Sequence, residues 1–150
     1  MDFRQLAFTA AIGVNNKEAT FGGILAVAGT TITAFLGGWD AALKLLFYAM
    51  IVDYVTGVAG AIKNKNVNSE IMFWGGIRKG ITLLIVGLAV LTDQLIGNET
   101  PVFRTLALYF YIGREGLSIL ENFGHLGMSY PTFLRQILEQ LKERGDGQKK

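Results

Sequence analysis

Asp53, Arg114, Glu115 and Glu121 are the side chains whose setting asks for a chemical explanation, because each stands in or close to a run of apolar residues. An ionised group in such a place must pair within protein, face water or lose its charge. None of these residues belongs to a catalytic pattern. His125 is the only histidine, cysteine is absent, and no GxSxG or phosphate-binding loop occurs. A lone histidine beside Gly124 and Gly127 reads as an interfacial polar residue rather than a ligand or base. Asp93 and Glu99 read as solvated groups near one membrane face. The sequence therefore gives no enzyme, no metal and no cofactor, and its polar residues point to assembly or to the lining of a hole.

Asp53 lies on a face of small residues. Ala49, Asp53, Gly57 and Ala61 are spaced four apart, so they stack along one side of a helix. Small residues let a second helix approach closely, which would place Asp53 in a packing seam instead of against lipid. There it is either a polar group of an interface or pore, or a structural hydrogen-bonding group. Gly22, Ala26, Thr30, Ala34 and Gly38 repeat the same spacing, and Gly76 and Gly80, with Gly87 a heptad later, form a third row. Arg114, Ser118 and Asn122 make a polar stripe beside Glu115 and Glu121. Such a stripe either lines a water-filled opening or marks a tilted helix emerging into the headgroups.

Composition says what solvent surrounds these elements. Hydrophobic residues make up 51% of the chain and charged residues 17%, against about 25% charged in a soluble domain. A 150-residue chain has too much surface to hide so many apolar side chains in water. The net charge of +2 is too small to suggest nucleic acid. The expected fold is all-α: an integral membrane protein of about four transmembrane helices and a short amphipathic C-terminal helix. A bilayer core needs about 20 apolar helical residues. Candidate spans run over about 19–39, 45–62, 80–96 and 102–122, within a membrane domain 19–124. Pro101 suits the first turn of the fourth.

Residues 1–18 are expected to be a cytoplasmic or interfacial segment, in which Phe3, Leu6, Ala7, Ala10 and Val14 fall on one helical face; that segment either lies on the membrane surface or is a frayed terminus. The poor basic flank of Asp2 and Arg4 argues against a cleaved signal. In 125–150, Leu134, Ile137, Leu138 and Leu141 make an apolar stripe after Pro131. That helix is either a membrane-surface or self-association element, or a solvated tail.

With four spans, Arg4, Lys17, Lys63, Lys65, Arg78, Lys79, Arg135, Lys142, Arg144, Lys149 and Lys150 share one side. Only Lys44 and Arg104 fall opposite. The positive-inside rule then places both termini in the cytoplasm.

From about Trp39 to Lys142 the chain resembles the toxin-secretion/phage-lysis holin family of Gram-positive bacteria and their phages. The resemblance rests on Asp53-Tyr54-Val55-Thr56-Gly57, on Gly76-Ile77-Arg78-Lys79-Gly80, and on Gly116 to Asn122 followed by Pro131 and Phe133-Leu134. Arg114 departs from the small or polar residue expected before Glu115. The resemblance implies a protein that gathers with copies of itself among the lipids of the cytoplasmic membrane. It then forms lesions through which a cytoplasmic endolysin, or a large toxin, escapes at a timed point. Two other functions fit the residues: a small ion or solute channel or transporter subunit, and an antiholin that blocks lesion formation.

Overall fold

A computed structural model describes residues 16–146, with side chains from residue 19 onward. The interfacial segment expected over residues 3–14 and the lysines at 149 and 150 lie outside the described residues. The described chain holds five helices and no strand. We label them α1 (Asn16–Phe35), α2 (Ala41–Lys63), α3 (Ser69–Ile96), α4 (Val102–His125) and α5 (Thr132–Gly145). The described residues divide into two compact units, one ending at Phe35 and the other beginning at Leu36.

The first unit contains α1. Its threonines satisfy themselves: Thr30 Oγ1 donates to the Ala26 carbonyl and Thr31 Oγ1 to that of Val27, both at 2.8 Å. Gly22, Ala26, Thr30 and Ala34 are all exposed.

The second unit is a bundle of α2 to α5, and its helix ends are written in the sequence. Asp40 caps α2, its Oδ1 accepting from the Leu43 amide at 2.9 Å. Asn68 caps α3 by accepting from the amides of Glu70 and Ile71. Gly97, at φ 74°, closes α3 in the left-handed conformation that glycine adopts without strain. The core is Leu36, Leu43, Leu46, Met50, Val86, Leu108, Tyr111 and Ile112. Ala49 and Gly87 are buried, whereas Gly76 and Gly80 are exposed.

Among the described residues two helices, not four, are long and apolar enough to cross a bilayer: α2 with 23 residues and α3 with 28. In α1 the apolar stretch is Ala19–Phe35, one turn short of the usual span, because the chain turns at residues 36–40. In α4 the 24-residue length suffices, but Arg104, Arg114, Glu115 and Glu121 interrupt it. The expected third span also begins earlier than its apolar run: α3 starts at Ser69, so the aromatic and glycine-rich stretch 73–76 is helix and only residues 64–68 connect α2 to α3.

α5 runs antiparallel along α4 at close range. A Cβ added at Gly113 would lie 2.7 Å from the Leu138 carbonyl oxygen and the Lys142 amide nitrogen. Gly145 is packed in the same way against the backbone of Phe110. Of the apolar stripe, Leu138 and Leu141 turn toward the bundle, while Leu134 and Ile137 stay exposed. We expect Gly113→Leu to push α5 off α4, since backbone atoms cannot rotate away, at a cost of about 1 to 3 kcal/mol. Reactivity of a single cysteine at Leu138 reports the displacement. Gly80→Ala, with open space where its Cβ would stand, is the control that leaves α5 in place.

Candidate functional site

α2, α3 and α4 each carry polar groups to one level of the bundle. Lys79 of α3 stands between two carboxylates. Its Nζ donates to Asp53 Oδ2 at 2.7 Å and to Glu115 Oε2. The three side chains are only 16%, 16% and 10% exposed, for Lys79, Asp53 and Glu115 in turn. Asn122 closes the group from one turn further along α4, donating through Nδ2 to Asp53 Oδ1 at 2.9 Å and to Thr56 Oγ1 at 3.0 Å. Thr56 passes its own proton to the Val52 carbonyl. Gly57 makes room for this: the Asn122 amide lies 3.6 Å from where a Gly57 Cβ would be. Every buried side-chain nitrogen and oxygen among the described residues has a partner, as burial in a low-dielectric interior requires.

These groups border a cavity of about 300 Å³. Asp53, Gly57, Arg114, Glu115, Ser118 and Asn122, which the sequence singles out separately on two helices, all line it. Ala61 lines it too. Glu121 does not; it lies exposed on α4. The polar stripe of α4 thus turns toward α2 and α3. Of its charges Glu115 meets a partner there, the lysine it shares with Asp53, with Arg78 and Arg114 alongside.

A second ionic cluster holds the other end of α4. Pro101 precedes α4 without offering a side-chain cap. Asp93, 4% exposed, caps it from α3 instead, accepting from the amides of Phe103 at 3.0 Å and Arg104 at 2.8 Å and from Asn98 Nδ2 at 2.8 Å. The Arg104 side chain then turns to the segment before α2. Nε donates to the Leu36 carbonyl at 2.7 Å, Nη2 to that of Gly38 at 3.2 Å, and Nη1 to Asp40 Oδ2 at 2.6 Å. Gly37, at φ 80°, admits the guanidinium, which would lie 2.6 Å from a Cβ. Asp93 is therefore buried and bonded, not solvated, and Arg104 is a structural donor more than a loop cation.

The hydrogen bond from Arg104 holds the Asp40 carboxyl below the usual carboxylate range. A lowered folded pKa stabilises the protein above the unfolded value and is lost as pH falls through the folded one. Unfolding in detergent should accordingly become easier as pH drops below the ordinary aspartate range. Asp40→Asn should remove that part of the pH dependence.

A model of the bacteriophage holin family matches residues 30–143 of the chain. The chain belongs to the bacteriophage holin family. Among relatives of this holin-family chain, a probable holin of Bacillus phage phi105 is 33% identical over 114 residues, covering 75% of this chain and 83% of the relative. An uncharacterised protein of Clostridium perfringens (strain 13 / Type A) is 42% identical over 118 residues, covering 79% and 87%. One of Clostridium acetobutylicum is 35% identical over 108 residues, covering 72% and 86%. No solved structure matches. Family membership points to a non-enzymatic membrane protein, and the matched region takes in both ionic clusters.

Sequence reading missed Lys79 as the partner of the buried acids, because it sits beside Arg78 after a polar loop and reads as one more interfacial cation. The usable signal was the demand itself: two acids in apolar helices need a cation, and Lys79 stands on the helix that follows the one carrying Asp53.

Proposed function

We propose that this chain is a holin: it oligomerises in the cytoplasmic membrane and, at a timed point, opens lesions through which a cytoplasmic endolysin or large toxin leaves, lysing the host. The supporting observation is a bundle with two unlike outer faces. α2 and α3 expose Leu45, Ile51, Val55, Leu84, Leu88 and Leu95, a surface suited to lipid. α5, backed against α4 as far as Phe110, exposes Arg135, Gln136, Gln140, Glu143 and Arg144. Lipid all round would leave those charges unsolvated, and water all round would leave the apolar faces wet. Protomers ringed around an opening give each face its solvent, with α2 and α3 outward and α5 toward water.

In this arrangement α2 and α3 cross the bilayer. The bundle end with Lys63, Lys65 and the segment after His125 lies in the cytoplasm, following the positive-inside rule. Lys63 Nζ donates to the Leu126 carbonyl, which ties the turn after α2 to the end of α4 on that side. Within the protomer, Lys79 holds the acids of α2 and α4 together. Separation of the helices on assembly would expose these charges to the opening, where water takes over the role of partner.

Inducible expression in a bacterium that also makes a cytoplasmic peptidoglycan hydrolase tests the proposal. Abrupt loss of membrane potential with release of the hydrolase is the expected result. A preserved potential with the hydrolase retained would overturn it. The ion-paired cavity also favours a narrow ion or solute pathway as a second reading, which would give saturable flux and no protein release. An antiholin would instead delay lysis by a co-expressed holin.

A further inference from the structure

The cavity between α2, α3 and α4 holds more positive than negative charge. Arg78, Lys79 and Arg114 face it, against Asp53 and Glu115. Lys79 is fully engaged by the two carboxylates. The guanidinium groups of Arg78 and Arg114 make no hydrogen bond and no ion pair with the described residues, and both residues are exposed at the cavity's rim. A cation in a lipid-facing helix needs a partner or a route to water. Here the remaining charge is that of one monoanion.

We propose that Arg78 and Arg114 bind the phosphate of an anionic phospholipid at this rim. A guanidinium offers paired N–H donors that match phosphate oxygens, a fit that a point charge lacks. The two arginines stand on neighbouring helices, so one phosphodiester can bridge α3 and α4. The cavity wall also carries Tyr54, Val58, Ile71 and Met72, of which Tyr54 and Ile71 are exposed, so an acyl chain can follow the headgroup along these side chains. A free phosphate would satisfy the charge but leave that wall uncovered, and the wall favours the lipid. The bound lipid would cover the mouth of the cavity that holds the Lys79 cluster.

Trp74 stands one turn before Arg78 and is exposed, which makes it a reporter. The full chain carrying Trp39→Phe is reconstituted in vesicles containing either brominated phosphatidylglycerol or brominated phosphatidylcholine, and quenching of Trp74 is measured. The anionic lipid should bind preferentially, by about fivefold for each guanidinium. Arg78→Gln and Arg114→Gln should each remove their share, while Lys65→Gln, an exposed cation outside the cavity lining, should change nothing. Circular dichroism checks that each variant keeps its helices.

Equal quenching by the two lipids would overturn the site, as would an equal loss in Lys65→Gln, which would mean diffuse surface attraction. Removal of the preference by excess inorganic phosphate would assign the rim to a soluble anion and overturn the lipid. A change in oligomeric state with lipid preference intact would assign the arginines to a second copy of the chain, with the same consequence. The inference rests on α2 and α3 lying in the bilayer, and the readout separates the two failures. A chain that does not insert shows no quenching by either lipid; a chain that inserts without the site shows equal quenching by both.

Discussion

Lys79→Met should destabilise the bundle by about 3 to 5 kcal/mol, the usual consequence of removing one partner from a buried charge network. Methionine keeps most of the length of the side chain, so the loss is electrostatic and not a cavity. Asp53 of α2 and Glu115 of α4, nearly buried and both bonded to the lysine, would then confront each other without a cation. One would have to take a proton or the helices would part. Adding Asp53→Asn and Glu115→Gln to Lys79→Met should recover most of the loss, because neutral amides can share hydrogen bonds with Asn122. Unfolding of the purified protein in mixed micelles, followed by circular dichroism, measures both steps. A loss under about 1 kcal/mol for Lys79→Met, the level typical of exposed pairs, would mean that water reaches the cluster and that it does not hold α2 to α4.

Arg104→Leu should be comparably severe, by a different route. The side chain is 5% exposed and satisfies two backbone carbonyls and a carboxylate in the segment 36–40. Its removal leaves the buried Leu36 carbonyl without its donor, at about 1 to 3 kcal/mol for an unpaired buried acceptor, and also costs the partly buried Gly38 carbonyl and Asp40 carboxylate their partner. The turn between Leu36 and Asp40 should open to protease at enzyme levels that leave the parent chain intact. The capping of α4 by Asp93 uses the Arg104 backbone amide, so it should survive. The two clusters are separated by 11 residues of α4, about 16 Å along the helix. The effects of Lys79→Met and Arg104→Leu should therefore add, as they do for distant sites without shared partners. A turn that stayed resistant to protease in Arg104→Leu would show that the apolar contacts of Leu36 alone secure it.

The helices themselves were largely legible in the sequence. Apolar runs set the bodies of α2 and α3, and Pro131 marked the approach to α5, but the start of α3 after Asn68 went unread, because the polar stretch that follows Lys63 reads as a loop. Asp53 with Gly57, and Ser118 with Asn122, could each be read as a polar or small face from spacing of four and from the difficulty of leaving an acid in lipid, but not as two sides of one interface. What spacing could not give was the partner across the seam. Lys79 and Arg104 each look like a charge flanking a span, and only the packing of three helices turns them inward. Asp93 looked solvated for a similar reason: apart from the Asn98 side chain, its partners are backbone amides ten and eleven residues away, which carry no residue-type signal. The contact between α4 and α5 was hidden because backbone approach at Gly113 and Gly145 depends on helix orientation, and glycine is common in membrane helices for many reasons. The number of spans was overcounted because apolar length was weighed ahead of the turn at 36–40 and of the charges in α4.

The two unlike faces of the bundle carry the account, and cysteine accessibility reads them directly, because the chain has no cysteine of its own. Single cysteines at Ile51 on α2, Leu88 on α3 and Gln136 on α5 would be exposed to a thiol reagent that cannot cross an intact membrane, added outside cells before and after lysis is triggered. The account predicts that Ile51→Cys and Leu88→Cys stay protected throughout, while Gln136→Cys becomes reactive only once lesions open. Labelling of Ile51→Cys and Leu88→Cys at the rate of Gln136→Cys would contradict it, since the α2 and α3 faces would then lie in water and not in lipid.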